Sequence, residues 1–200
     1  MAKDIIDQLR KMGVDNGQEL RVAAKAVEDQ MNGMLGRFDG AAISRVYVLG
    51  CGSSYFGAIN VEHAFEDLAG IPCKAVEGFE FTAYQNMDLV DETSLVLGFS
   101  TSGVTAALID SFEKCNAKKA ITVAITALAD SPLGVMTNEV LLTGATDETD
   151  VCRTKANTQA NIAMYIMAIA LGQARGYLSE ADAAKYIAEV DIAIDGIVDV

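Results

Sequence analysis

Leu97-Gly98-Phe99-Ser100-Thr101-Ser102-Gly103-Val104-Thr105 decides how the rest of the chain is read: an apolar strand delivers two serines and a threonine to a glycine-hinged turn, and a helix opens directly after it. The first N–H groups of a helix have no intrahelical partner and carry a partial positive charge. With the hydroxyls of Ser100, Ser102 and Thr105 beside them, they make a cradle for a phosphate that needs no formal positive charge. Each hydrogen bond to a charged group contributes about 1.5–3 kcal/mol, so a few such donors reach micromolar affinity. The same nine residues also read as a plain strand-to-helix turn in which Ser102 or Thr105 caps the helix.

A second turn of the same kind lies upstream. Arg45-Val46-Tyr47-Val48-Leu49 is an apolar strand, and Gly50-Cys51-Gly52-Ser53-Ser54 follows it before a helical pattern that runs through Leu68. Two strands thus end in small, hydroxyl-bearing loops that each begin a helix, and in an open parallel sheet such loops share a crevice at the carboxyl edge. The upstream loop is not a dinucleotide fingerprint. Gly50-Cys51-Gly52-Ser53-Ser54-Tyr55 lacks the third glycine of that pattern, and only Glu77 offers an acid at the end of the next strand.

From Arg45 onward strand and helix alternate. Strands are expected at 45–50, 72–76, 94–99, 119–125 and 139–143, with helices at 54–69, near 79–86, at 104–116, in a short turn near 131–136, and at 154–175. The strands are rich in Val, Ile and Leu without polar alternation, as in a parallel sheet covered by helices on both faces. The expected fold is therefore α/β: a three-layer α/β/α sandwich on a five-stranded parallel sheet of flavodoxin-like type, preceded by N-terminal helices. Ile5, Ile6, Leu9 and Met12 keep helical spacing up to Gly13, and Leu20, Ala24, Val27, Met31 and Leu35 do so after Gly17. Met31, Met34, Met164 and Met167 read as core filling rather than a cofactor stripe. The division expected is a helical segment over 1–40, the α/β domain over 41–177 and a C-terminal helix over 178–200. That last helix opens on Ser179-Glu180-Ala181-Asp182, which resembles a capping box, and reaches Val200 without a glycine cap. A longer protein is the expectation from this ending.

Composition narrows the function. The net charge is −13, from 28 acidic against 15 basic residues, so the mean field repels nucleic acid and anionic lipid, and an anionic substrate must be held by local donors. Cys51, Cys73, Cys115 and Cys152 are far apart, with no paired motif and only His63 to complete a metal site. They read as reduced thiols of a cytoplasmic protein, and neither a metal nor a cofactor is expected. Cys51 reads as a small buried residue rather than a nucleophile, and His63, about three helical turns from the loop, as structural or surface. No apolar run reaches the length of a membrane span, and the stretch Met1-Ala2-Lys3-Asp4-Ile5-Ile6-Asp7 is charged and has no apolar h-region.

A third loop, Thr143-Gly144-Ala145-Thr146-Asp147-Glu148-Thr149-Asp150-Val151-Cys152-Arg153-Thr154-Lys155, follows the last strand and opens the long helix, bringing Glu148 and Lys155 to the same sheet edge. Five stretches in order now resemble one family: Gly50-Cys51-Gly52-Ser53-Ser54-Tyr55; Phe65-Glu66 through Leu68-Ala69-Gly70-Ile71-Pro72-Cys73; Glu80-Phe81; Ser100, Ser102, Gly103 and Thr105; and Glu148, Val151, Thr154, Lys155 and Ala156. From Val46 to Gly172 the chain resembles the sugar isomerase (SIS) domain, above all the first of two such domains in the isomerase half of glucosamine-6-phosphate synthase and in the fructosamine-phosphate deglycases. The resemblance implies that Ser100, Thr101, Ser102 and Thr105 hold the phosphate of a phosphosugar. It further implies that Gly52, Ser53, Ser54 and the main chain near Val151 meet the sugar end. Two departures bear on substrate choice: Cys152-Arg153 replaces the small residues usual before Thr154-Lys155, and Val104 stands where a Glu is common. The family's catalytic glutamate and ring-opening histidine lie in a second domain or a neighbouring subunit, and no stretch here matches them.

Isomerisation between aldose and ketose needs a base, a donor to the enediolate and a group that opens the ring. Glu148 is the local candidate for the base and Lys155 for charge stabilisation. An equally open reading makes Glu148 a loop anion and Lys155 a helix-face charge. The expected function is the phosphosugar-binding domain of an aldose–ketose isomerase or deglycase acting on a hexose or aminohexose 6-phosphate, its site completed by further chain or by a second subunit in a homo-oligomer. A non-catalytic sugar-phosphate sensor is the alternative, although residues 1–40 lack the basic helix-turn-helix of a transcriptional one.

Overall fold

In the computed structural model, which describes residues 19–144 and 154–198, five strands run parallel: β1 (Arg45–Gly50), β2 (Cys73–Glu77), β3 (Ser94–Phe99), β4 (Ile121–Thr126) and β5 (Glu139–Leu142). Their order is β2-β1-β3-β4-β5, the flavodoxin-like winding, which reverses direction between β1 and β3. The loops that follow those two strands are the two hydroxyl-bearing turns. The expected fold class is what the chain adopts.

The helices are α1 (19–34), α2 (Ser53–Ala69), α3 (Gly78–Tyr84), α4 (Ala106–Ala117), α5 (Pro132–Met136), α6 (Thr154–Ala174) and α7 (Glu180–Val198). Although the strands are mostly apolar, successive side chains point to opposite faces, so each strand feeds two cores. Val46, Val48, Leu95, Leu97, Val123 and Ile125 face α1, α2, α6 and α7. Tyr47, Leu49, Val96 and Ala124 face Phe81 of α3, Leu108 and Phe112 of α4 and Leu133 of α5. Met31, Met34, Met164 and Met167 are buried in the first core, as expected of gap-filling side chains.

Element ends differ from expectation where one residue's backbone decides them. Thr105 is extended (φ −68°, ψ 108°), so α4 begins at Ala106 rather than 104. Lys119 adopts φ 60°, which delays β4 to Ile121. The N-cap half of the expected capping box forms: the Asp182 N–H donates to Ser179 Oγ at 3.1 Å, and that hydroxyl donates in turn to Asp182 Oδ2 at 2.6 Å. Arg175, just past α6, donates to the carbonyls of Ala69, Gly40, Ala41 and Ile43, tying the end of α2 to the segment that enters β1. The expected helix over Ile5–Met12 lies outside the described residues, and no helix among them is long and apolar enough to cross a membrane.

Candidate functional site

The turn after β1 is tight enough to require glycine twice. A Cβ on Gly50 would lie 2.5 Å from the Ser54 carbonyl carbon, and Gly52 takes φ 58° and ψ −127°, a conformation that side chains forbid. The chain thereby doubles back onto α2, whose first turn carries Ser53 and Ser54. No side chain caps this helix. Cys51, between the two glycines, is half-buried; burial first and the neighbouring Glu77 carboxylate second push its thiol up to about 11. Glu77 also accepts the Phe79 and Glu80 N–H groups at 2.7 and 3.2 Å, which makes it the N-cap of α3. Cys73 and Cys115 are buried free thiols, raised chiefly by burial.

The turn after β3 is locked from inside. Ser100 is 4% exposed. Its N–H continues the sheet by donating to the Ile125 carbonyl at 3.1 Å. Its Oγ accepts the Gly103 N–H at 3.1 Å and lies 3.0 Å from Thr105 Oγ1. Gly103 has φ 64°, and a Cβ there would strike Ser131 Oγ at 2.0 Å. Thr105 occupies the N-cap position of α4, yet its hydroxyl makes no cap hydrogen bond. Ser102 is exposed at the apex. Hydroxyls and the first amides of α4 are thus left together at the sheet edge, the arrangement that suits an oxyanion.

Between the two turns lies a cavity of about 290 Å³ lined by Ser53, Ser54, Ser100, Thr101, Ser102 and Thr105, with Phe99, Ala127, Leu128 and Asn157 completing the wall. Six of the residues singled out in the sequence therefore line one space, with Gly52 adjoining it at the N-cap of α2. The described lining is neutral, so its attraction for an anion comes from dipoles and hydroxyls. Glu148 and Val151 lie outside the described residues, as does Cys152. Lys155 does not line this cavity. Its side chain, 12% exposed, is ion-paired with Glu19 and borders a separate cavity of about 670 Å³ with Thr143 and Gln159. His63 is on the surface of α2, 83% exposed and 3.8 Å from Glu66.

Asn157 is the functional candidate that sequence reading passed over. It stands on the first turn of α6, one residue beyond the Thr154-Lys155-Ala156 run, and its Nδ2 donates to the Ser53 carbonyl at 2.9 Å. Its position after a run that begins the helix at the sheet edge was the available signal.

A model of the SIS domain family matches residues 41–173. The glutamine–fructose-6-phosphate aminotransferase of Clostridium tetani is 29% identical over 189 residues, which cover 87% of this chain and 31% of that protein. Among solved structures, the C-terminal domain of glucosamine-fructose-6-phosphate aminotransferase from Francisella tularensis superposes with a TM-score of 0.74 at 23% identity, over 88% of this chain and 52% of that one. A ligand-bound protein of Escherichia coli CFT073 gives a TM-score of 0.69 at 20% identity, over 93% of this chain and 98% of that one. The chain thus spans less than a third of the aminotransferase it matches.

Proposed function

Because the chain belongs to the SIS domain family, we propose that the serine-lined cavity is a phosphosugar site and that the chain supplies the binding half of an isomerase or deglycase acting on a hexose or aminohexose 6-phosphate. The observation that carries this reading is the convergence of Ser100, Thr101, Ser102 and Thr105 with Ser53 and Ser54 on one neutral cavity at the switch point of the sheet. The phosphate sits against Ser102, Thr105 and the opening amides of α4, and the sugar extends toward Ser53, Ser54 and Gly52.

Proton transfer needs a titratable group, and none of the described residues lining the cavity has one. Glu148, or a residue from further chain or a second subunit, serves as the base in this reading, and Lys155, paired with Glu19, acts at most as a remote charge. The same neutral lining favours a second reading, a sugar-phosphate sensor that binds without turnover. Cytoplasmic location and assembly as a homo-oligomer remain part of the proposal.

Melting scans test the site. A hexose 6-phosphate at a hundred times its Kd should stabilise the fold by about 2.7 kcal/mol, with ATP and NAD inert; the reverse pattern would overturn the assignment. Turnover of fructose 6-phosphate and glucosamine 6-phosphate, absent from the chain alone and restored with any downstream sequence, separates the enzyme from the sensor.

A further inference from the structure

We propose that Asn157 reads a hydroxyl group of the bound sugar and that Asn161 holds it in the orientation to do so. The inference rests on the phosphosugar reading of the cavity and assigns the group that recognises the sugar rather than its phosphate.

The polarity of the two amides follows from one backbone group. The Ser53 carbonyl can only accept, so the Asn157 atom 2.9 Å from it is Nδ2. Asn157 Oδ1 then faces Asn161, which must present its own Nδ2, at 2.7 Å. This order leaves Asn161 Oδ1 buried with no hydrogen-bond partner. A buried acceptor without a donor costs stability, so the pair is not explained by the fold alone. Room for it is made by Gly57, where an added Cβ would come within 3.4 Å of Asn157 Oδ1 and 2.9 Å of the Phe99 ring.

An amide has two N–H donors and two acceptor lone pairs. Asn157 uses one of each on Ser53 and Asn161, and it lines the cavity beside Ser53. The remaining N–H and lone pair match a group that donates and accepts at once. A sugar hydroxyl has that character; an ammonium, which only donates, does not. Asn161 touches no part of this cavity and acts through Asn157, which makes it a positioning residue.

Isothermal titration of the full chain and the variants Asn157→Ala, Asn157→Asp and Asn161→Leu with fructose 6-phosphate, glucose 6-phosphate and inorganic phosphate tests the assignment. All three variants should lose about fivefold in affinity for the hexose phosphates and nothing for inorganic phosphate. Asn161→Leu should also melt at the same temperature or higher, because it removes the unpartnered acceptor, a combination that a purely structural role would not produce. Unchanged hexose-phosphate affinity in the variants overturns the inference and leaves the phosphosugar reading standing. A wild-type chain that binds hexose phosphates no better than inorganic phosphate overturns both. A parallel loss of stability and of inorganic phosphate binding in Asn161→Leu would also overturn the inference, showing the pair to be a structural support.

Discussion

At the scale of single residues, the two serines of the β3 turn are not equivalent. Ser102 is exposed and Ser100 is buried with its Oγ in contact with Gly103 and Thr105. Ser102→Ala should therefore weaken hexose 6-phosphate binding by roughly tenfold with the melting temperature unchanged, whereas Ser100→Ala should lower both, by about 1–2 kcal/mol in stability. Titration calorimetry beside a melting scan reads the contrast, and unchanged affinity in both variants would reduce the turn to a structural one. Cys51 gives a pH prediction. Its folded pKa, about 11, lies above the ordinary value of 9.0, so burial favours the neutral thiol. That contribution to stability is complete below pH 9 and is lost as the pH rises through about 11. At pH 8 iodoacetamide should label Cys51 roughly tenfold or more slowly than a free thiol, with labelling accelerating only as the pH approaches the upper value. Glu77→Gln should speed it modestly, since burial, the larger cause, remains.

At the scale of elements, the tightest constraint is where α6 crosses α2. A Cβ at Gly172 would lie 2.0 Å from the Leu68 carbonyl oxygen, and backbone cannot step aside as a side chain can. Gly172→Ala should destabilise by about 2 kcal/mol and lower the melting temperature by roughly 4–8 °C; a Tm unchanged within 1 °C or so on that scale would show that the helices slide freely. The same crossing explains what could be read from sequence. Strands and helices were legible because local pattern makes them: continuous apolar runs ending in Gly50-Cys51-Gly52 and Ser102-Gly103, then helical spacing. Boundaries slipped where a single backbone conformation, at Lys119 or Thr105, overrode the pattern. The serines of the cavity were legible because each follows its strand directly. Asn157 was not, since its bond to Ser53 spans 104 positions and exists only once α6 has docked on α2. The position of Lys155 was hidden for the same reason: with α6 docked, its side chain pairs with Glu19 and does not line the serine cavity.

At the scale of the whole molecule, we propose the helical face of α2, α6 and α7 as the surface of a homo-oligomer. A groove of about 520 Å³ there is walled by Ile162, Tyr165, Ile169, Val190, Ile194 and Ile197, and Phe56 and Ile59 of α2 stand 65% and 41% exposed. Light scattering at micromolar concentration should report a dimer or larger, shifted toward monomer by Ile59→Glu; a strict monomer would remove the surface from consideration. The neutral lining of the cavity has a consequence for how the ligand arrives. A dianion approaching a chain of net charge −13 meets repulsion that reaches about 30 Å at 0.01 M ionic strength and about 8 Å at 0.15 M, with no described lining cation to draw it in. Added salt should then leave affinity for a hexose 6-phosphate unchanged or tighten it by a few-fold, opposite to sites built on lysine and arginine, and a steady loss with salt would reveal a positive charge facing the cavity. Such a site works best in a crowded electrolyte, and the hydroxyl cradle needs no long-range attraction to fill there.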